Sequence, residues 1–217
     1  MKHSKLILVA LAFAGSVLTS CKKDDVSAPS ITLYGDKTIT LELHQPYTEA
    51  GATADDSKDG NLTSQIVTSG SPDVNNAGVY VINYSVSDKA GNTGENSRTV
   101  IVKHSASTIA GTYAVKDSCG NSSTSYVEIV TVGGDTKLKV TRFANYDNAV
   151  VYFDIAGETN SSINVPEQTA LLSGTPAANR KFKGSGSISS NGKKFTITYT
   201  ETTNNTVTTC TGVYTKP

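Results

Sequence analysis

The chain contains no tryptophan, a single methionine and only three histidines among its 217 residues. Histidine is the side chain best suited to proton transfer near neutral pH and the commonest metal ligand. With three histidines, the chain offers few residues for a Ser-His-Asp triad or a zinc site. Charged residues make up 18% of the chain, and their formal charges balance to zero. Because nucleic-acid-binding domains carry a basic patch or stripe, we expect no nucleic-acid partner. No catalytic constellation stands out, and we expect the protein not to be an enzyme.

Long apolar runs are equally scarce, and the clearest one, Leu6–Ala14, lies near the N-terminus behind the basic residues Lys2 and Lys5. A membrane-spanning helix needs about 20 apolar residues, and this run meets the charged stretch Lys22–Asp25 too early for that. A basic start followed by a short apolar segment is typical of a secretory signal. We therefore interpret residues 1–20 as a signal peptide rather than a membrane anchor.

The apolar run ends in Leu18-Thr19-Ser20-Cys21, which resembles a bacterial lipobox. The resemblance implies cleavage before Cys21 and a lipid on its thiol, with residues 21–29 as a tether to the outer membrane. The following Lys22-Lys23-Asp24-Asp25 is similar to the export signal of surface lipoproteins in one large group of Gram-negative bacteria. That similarity implies a lipoprotein facing the cell surface, and an ordinary solvated tether is the alternative.

Threonine, serine, glycine, valine and tyrosine dominate the rest of the chain, a composition typical of all-β proteins. Apolar residues alternate with polar ones in Thr38–Leu43 and Val79–Ser87. Turn residues separate these and other short runs across residues 30–103. This spacing predicts a small β-sandwich.

Residues 47–102 resemble a bacterial Ig-like domain through short motifs in a fixed order: Tyr47–Asp56, Asp59–Thr63, Gly78-Val79-Tyr80, Tyr84, Asp88–Asn92 and Arg98-Thr99-Val100. That family occurs in surface proteins and in a pesticidal crystal toxin, usually as a spacer or adhesion module. The chain departs from the family at His44-Gln45, where a glycine turn is usual. The resemblance implies an Ig-like sandwich for residues 30–103 but no particular ligand.

After a short polar linker, residues 104–108, strand patterns fill residues 109–217. Eight or nine strands joined by hairpin signals such as Asn191-Gly192 predict an antiparallel up-and-down meander, with Ser161–Val165 and Thr169–Ser173 as separate strands. Closing the meander into a barrel removes its exposed edges. The opening Gly111-Thr112-Tyr113 is similar to lipocalin-like domains of bacterial lipoproteins, which also implies a small β-barrel. A second β-sandwich is the alternative.

The cysteines fit a closed barrel. With Cys21 assigned to the lipid, Cys119 and Cys210 remain as a pair in an oxidising compartment. The first and last strands of a closed meander are neighbours, so a bridge between these two cysteines is geometrically accessible. We predict a Cys119–Cys210 disulfide; two free thiols or a zinc pair are the alternatives.

An acidic group in the Ig-like half is the best candidate for a metal site: Asp55, Asp56, Asp59, Asn61 and Asp88. Its two turns can meet at one end of a sandwich, and oxygen ligands at this density suit Ca²⁺. The spacing is not that of an EF-hand, and Asp and Asn in turns often bond their own backbone. We therefore expect no obligatory cofactor and keep Ca²⁺ as a hypothesis beside turn-building.

Tyr146 and Tyr152 are the candidate ligand-binding residues, because exposed tyrosines can stack on sugar rings. Packing in the barrel wall is the alternative for both. Asp147 and Asp154 could form a glycosidase pair, but their surroundings do not single them out.

These patterns lead to one functional hypothesis and one alternative. The hypothesis is a non-enzymatic surface lipoprotein in which an Ig-like spacer presents a β-barrel to a polysaccharide or a surface protein. The alternative is a lipocalin-like carrier of a small apolar ligand, which requires an open cavity inside the barrel.

Overall fold

The structure is a computed structural model that describes residues 24–172 and 178–217, so the predicted signal peptide, residues 1–20, and the predicted lipidation site Cys21 lie outside the described residues. The described residues form strands β1 (Ser30–Leu33), β2 (Thr38–Glu42), β3 (Ala52–Asp56), β4 (Gly60–Asn61), β5 (Val67–Ser69), β6 (Gly78–Ser87), β7 (Thr93–Lys103), β8 (Gly111–Cys119), β9 (Ser122–Gly134), β10 (Lys137–Val140), β11 (Val151–Ala156), β12 (Ser162–Leu172), β13 (Ala178–Ile188), β14 (Lys194–Thr203) and β15 (Thr206–Thr215). One short helix, α1 (Ala106–Ile109), and 3₁₀ turns at Thr63–Gln65 and Phe143–Asn145 complete them. The predicted all-β class is confirmed.

Strands β1–β7 form a sandwich of two sheets. One sheet has the order β1-β3-β4 and the other β2-β7-β6-β5, in which β2 runs parallel to β7. The alternating pattern puts Leu41, Ile82, Tyr84 and Val86 in the core between the sheets. The alternation in the sequence therefore predicts the inward face of β6 correctly.

A buried arginine ties the loops of the sandwich to β7. Arg98 is fully buried, and its Nη1 and Nη2 donate to the carbonyls of Asp36 and Tyr34 at 2.8 and 2.6 Å. Its Nε donates to the Tyr84 hydroxyl at 3.3 Å, and Nη2 lies 3.3 Å from the Glu49 carboxylate. Because a buried charge needs such partners, Arg98 holds these loops in place.

The turn after β2 keeps a glycine-like conformation without glycine. His44 has φ 71°, in the left-handed region that glycine adopts most easily. Its amide donates to the Val74 carbonyl at 2.7 Å, and its Nδ1 lies 3.1 Å from Asn75 Oδ1. The departure from the Ig-like pattern at His44 therefore leaves the turn intact.

Strands β8–β15 close into an antiparallel barrel in which each strand pairs with its neighbours in sequence and β15 pairs with β8. The predicted up-and-down barrel is confirmed. The prediction of two separate strands, Ser161–Val165 and Thr169–Ser173, is wrong, because Ser162–Leu172 forms the single strand β12. Its pairing with β13 shifts register between Val165 and Gln168. Pro166, which has no amide hydrogen to donate to a ladder, lies in that interruption.

The first and last strands of the barrel are covalently joined. Cys119 on β8 lies directly opposite Cys210 on β15, and the two form a disulfide with a sequence separation of 91 residues. The predicted pairing is confirmed, and it locks the seam at which the barrel closes.

Aromatic side chains fill the inside of the barrel. The rings of Phe195 and Tyr214 stack with centroids 4.3 Å apart, and Tyr113 meets Phe195 edge-on at 4.9 Å. Towards the other end, Phe143 lies 5.0 Å from Phe182 and 4.7 Å from Tyr199. These rings are almost fully buried, so the barrel interior is a packed core.

The two domains contact each other around His104. Its amide donates to the Thr159 carbonyl at 3.0 Å, and Asn160 Nδ2 donates to its carbonyl at 2.7 Å. The Ala77 amide donates to the Ser190 carbonyl at 2.7 Å across the same contact. The His104 ring is fully buried, and burial lowers the pKa of its imidazole. Across residues 24–172 and 178–217, we find no helix with the length and apolarity to cross a bilayer.

Candidate functional site

A cavity of about 310 Å³ lies at one end of the barrel. The turn between β8 and β9, the connection from β10 to β11 and the facing ends of β14 and β15 all reach this end. The lining side chains are mostly polar: Asp117, Cys119, Ser122, Thr124, Ala144, Tyr146, Glu201 and Thr208. We call this cavity the barrel mouth.

Glu201 is the central charged group of the barrel mouth. It is 7% exposed, and its carboxylate forms an ion pair with Arg180. The Tyr146 hydroxyl donates to Glu201 Oε1 at 3.1 Å, and the Arg180 guanidinium lies 4.4 Å from the centroid of the Tyr146 ring. The three side chains thus orient one another, with the acid at the wall of the cavity.

Asp117 is a second acid at the same cavity, and it has no basic partner among the described residues. It is 4% exposed, and the Tyr199 hydroxyl lies 2.9 Å from both of its carboxylate oxygens. Burial raises the pKa of the Asp117 carboxyl, and the Tyr199 hydrogen bond lowers it in part. A buried acid held this way costs stability when it ionises, which is common at binding and catalytic sites.

The loop that carries Tyr146 is held in an uncommon backbone conformation. Ala144, Asn145 and Asn148 have φ values of 55°, 64° and 62°, all in the left-handed region. Such conformations cost free energy for residues other than glycine and persist where surrounding structure enforces them. Phe143, buried in the barrel core, anchors the start of this loop. The loop therefore presents Tyr146 in a fixed position.

The two candidate tyrosines point to different places. Tyr146 lines the barrel mouth, whereas Tyr152 lies on the outer face of β11 and is 36% exposed. Asp147 extends into solvent beside Arg142, and Asp154 pairs with Lys137 on β10. Neither aspartate is among the side chains that line the barrel mouth.

Sequence reasoning missed Asp117 and Glu201, although the sequence carries a signal for both. Glu201 continues the inward series of Phe195, Ile197 and Tyr199 on β14, and Asp117 stands two residues after the inward Val115 on β8. Since alternate residues of a strand share one face, an acid at such a position has to face the barrel interior. This parity identifies both residues without a structure.

The acidic group in the Ig-like domain is only partly assembled as expected. The two turns do meet, because the Lys89 amide donates to Asp59 Oδ2 at 2.7 Å. Asp56 and Asp88 lie together, and the third acid beside them is Asp25 from the tether, which the prediction did not include. Asp59 instead pairs with the Lys89 side chain. Asp55 and Asn61, also predicted here, contact each other across β3 and β4 at 3.3 Å.

Residues 31–102 match the family model described as bacterial surface protein, Ig-like domain. The first domain is a bacterial surface Ig-like domain. The matched residues end one residue before the end of β7, so the match does not include the barrel. No curated protein matches the chain.

Two solved structures illustrate the wider similarity. A lipoprotein from Bacteroides thetaiotaomicron is similar over 85% of this chain and 98% of its own, at 19% identity and a TM-score of 0.35. The CBM51-2 and INT domains of Clostridium perfringens ZmpB, in complex with GlcNAc, are similar over 87% of this chain and 44% of theirs, at 17% identity and a TM-score of 0.29. Scores this low give no basis for transferring a ligand.

Proposed function

We propose that the protein is a non-enzymatic lipoprotein displayed on the outer membrane, and that its Ig-like domain spaces a barrel whose mouth binds the end of a polysaccharide. The observation that carries the proposal is the contrast between a filled barrel interior and a polar mouth. Seven aromatic rings pack inside the barrel, while two buried carboxylates face the cavity at its end. A ligand therefore has polar groups to meet at the mouth rather than an apolar channel within.

The size and chemistry of the barrel mouth favour a sugar ring. Its volume of about 310 Å³ is at the lower end of the roughly 300–1,000 Å³ typical of small-ligand sites. Carboxylates such as Glu201 and Asp117 accept hydrogen bonds from adjacent sugar hydroxyls, and charge-assisted bonds of this kind are strong. Ser122, Thr124 and Thr208 add hydroxyl groups that both donate and accept.

The packed interior also weighs against the apolar-carrier alternative. A carrier barrel needs inward space for its ligand, but Phe153, Phe195 and Tyr214 occupy the centre of this barrel with mutual ring contacts. Native mass spectrometry of protein purified without denaturation tests the point directly. A co-purified apolar molecule would support the carrier and overturn the proposal.

The binding test uses residues 22–217, which contain both complete domains, on a panel of soluble and insoluble polysaccharides. We expect retention on at least one glycan. Glu201→Gln should weaken it by about 10- to 100-fold, because a hydrogen bond to a charged group contributes roughly 1.5–3 kcal/mol. Tyr146→Ala should weaken it as well, since it frees the carboxylate of Glu201 from its orienting hydroxyl.

Tyr152→Ala is the matched control, since it removes a tyrosine from the outer wall of the same barrel. Retention that depends on Tyr152 and not on Glu201 would place the contact on the wall and contradict the barrel mouth. Absence of retention on every glycan would reject the glycan as the ligand and would favour either a protein partner or the apolar-ligand carrier.

The anchoring part of the proposal rests on Leu18-Thr19-Ser20-Cys21 and is tested separately. Cys21→Ser should release the protein from membranes, because the thiol that receives lipid is lost. Persistent membrane retention of this variant would reject the lipidation site.

A further inference from the structure

Three carboxylates meet at the end of the Ig-like domain next to the tether. Asp25 lies just before β1, Asp56 ends β3, and Asp88 begins the turn between β6 and β7. One carboxylate oxygen from each lies within 4.8 Å of the others. Residues far apart in sequence are thus brought to one point by the fold, and two of the three, Asp56 and Asp88, are 8% exposed.

One oxygen of this cluster is buried and has no hydrogen-bond partner in the described part of the chain. Asp56 Oδ1 accepts hydrogen bonds from the amides of Lys58 and Asp59 at 2.8 and 2.9 Å. Its Oδ2 is buried and has no hydrogen-bond partner among the described residues. Leaving a buried acceptor unsatisfied costs about 1–3 kcal/mol, and more when it is charged. A ligand that binds Oδ2 would remove this cost.

The charges of the cluster are only partly compensated. Lys58 Nζ lies 3.4 Å from Asp25 Oδ1. Counted over the described residues alone, these three carboxylates and the Lys58 ammonium leave an excess of about two negative charges, and buried charges need compensation. A divalent cation supplies the missing charge.

The spacing of the oxygens suits calcium. Ca²⁺ binds oxygen at roughly 2.3–2.6 Å, so two ligands on opposite sides of the ion are separated by up to about 5 Å. Oxygens within 4.8 Å of one another can therefore all contact one ion. The shorter Mg²⁺–O distance of about 2.0–2.1 Å and its strict octahedral geometry fit a spread of this size less well.

We infer that Asp25, Asp56 and Asp88 bind one Ca²⁺ ion, which fastens the tether to the Ig-like domain. The remaining ligand positions are filled by water or backbone carbonyls, as is usual for Ca²⁺. The tether already lies against this end of the domain. Asn92 Nδ2 donates to the Asp25 carbonyl at 3.1 Å, and Pro29 lies so close to Gly94 that a Cβ there would clash with the Pro29 carbonyl oxygen.

Calcium would thus fix the direction in which the protein leaves its membrane anchor. Without it, three like charges repel and residues 24–29 are free to separate from the domain. With it, residues 24–29 of the tether and the Ig-like domain become one rigid unit. This role is independent of the ligand at the barrel mouth.

The test is calorimetric titration of CaCl₂ into residues 22–217 after removal of metal with EDTA, with MgCl₂ as the comparison. We expect one Ca²⁺ per chain with a Kd of roughly 10⁻⁴–10⁻³ M, the range of extracellular calcium modules, and weaker binding of Mg²⁺. Asp56→Asn should weaken Ca²⁺ at least about tenfold. Asn retains an oxygen that can accept from the amides of Lys58 and Asp59 but loses the charge.

Asp55→Asn is the matched control, because it removes the same charge from the next residue, which points to the other side of β3. It should leave Ca²⁺ affinity little changed. Asp25→Asn provides a second variant at a position outside every strand, where we expect the substitution to leave the strand pairing of the sandwich unchanged. Hydrogen exchange adds a structural readout: Ca²⁺ should slow exchange of the Ser27 amide, which donates to Asp25 Oδ1, and should not do so in Asp25→Asn.

Three results would overturn the inference. The first is no Ca²⁺ binding by the wild-type chain at millimolar concentration. The second is equal weakening by Asp55→Asn and Asp56→Asn, which would indicate a diffuse charge effect. The third is Ca²⁺ binding that leaves the exchange of residues 24–29 unchanged.

Discussion

In the Ig-like domain the largest fully buried side chain is Arg98, whereas in the barrel the largest are tyrosine and phenylalanine rings. The sandwich is an open pair of sheets, and its loops are held by hydrogen bonds from that one guanidinium to backbone carbonyls. The barrel has a closed ladder, a disulfide across its seam and an aromatic core. Both domains have an apolar core, but the first adds a buried charged group that holds its loops, whereas the second adds a disulfide and a cluster of aromatic rings.

The difference also separates the two candidate sites. At the sandwich end, three acids from distant parts of the chain share one point. At the barrel mouth, Glu201 is paired with Arg180, and Asp117 accepts a hydrogen bond from the Tyr199 hydroxyl. The first arrangement suits a cation, and the second suits a neutral ligand rich in hydroxyl groups.

Removal of the disulfide should give the largest effect and should be confined to the barrel. In the chain-entropy model a loop of about 90 residues contributes roughly 4–5 kcal/mol. Cys119→Ala/Cys210→Ala should lower the barrel's free energy of unfolding by up to about that amount. The calorimetric transition of the Ig-like domain should stay unchanged. Equal shifts of both transitions would mean that the domains unfold as one unit.

Arg98→Met should destabilise the Ig-like domain by about 3–5 kcal/mol, the usual cost of breaking a buried charge network. The change strands the carboxylate of Glu49 and the carbonyls of Tyr34 and Asp36. Arg142→Met is the control, because Arg142 forms an exposed pair with Asp147 and such pairs contribute less than about 1 kcal/mol. Urea unfolding of both variants gives the comparison, and similar losses would contradict it.

Asp117→Asn should have a smaller effect that depends on pH. Because burial raises the pKa of Asp117, the folded barrel holds this proton to higher pH than the unfolded chain does. The barrel therefore loses stability as pH rises from the unfolded pKa of about 3.9 through the raised folded value. The variant lacks this loss, so the stability of the variant relative to the wild type should rise as the pH rises through that window.

Urea unfolding at pH 3 and pH 7 measures this effect. Glu128, whose pKa is also raised by burial, is present in both proteins and cancels in the difference. A gain in stability that is the same at both pH values would show that ionisation of Asp117 is not the cause.

Much of this architecture follows from local patterns. Period-two alternation on β6 and β14 predicts which side chains face inward, because successive residues of a strand must point to opposite faces. The Cys119–Cys210 pairing follows from the up-and-down order, since closure makes β8 and β15 neighbours. Both features follow from strand geometry, so a single sequence is enough to predict them.

The sites are harder to predict, because they depend on which loops the fold brings together. Asp25 lies in the stretch that the sequence predicts to be a tether, and no neighbouring residue indicates that it contacts Asp56 or Asp88. Tyr146 and Tyr152 are close in sequence, yet one lines the barrel mouth and the other faces outward. The sequence makes both tyrosines candidates for exposure, and only the path of the chain after β10 shows that they face different sides.

The central claim is that each domain has its own binding site: the polysaccharide binds at the barrel mouth, and the cation binds at the end of the Ig-like domain. The most direct test measures polysaccharide retention of residues 22–217 in CaCl₂ and in EDTA, for the wild type, Glu201→Gln and Asp56→Asn. We predict that Glu201→Gln loses retention in both buffers, while the wild type and Asp56→Asn are retained equally in both. Retention that disappears in EDTA or in Asp56→Asn, and survives Glu201→Gln, would contradict this division.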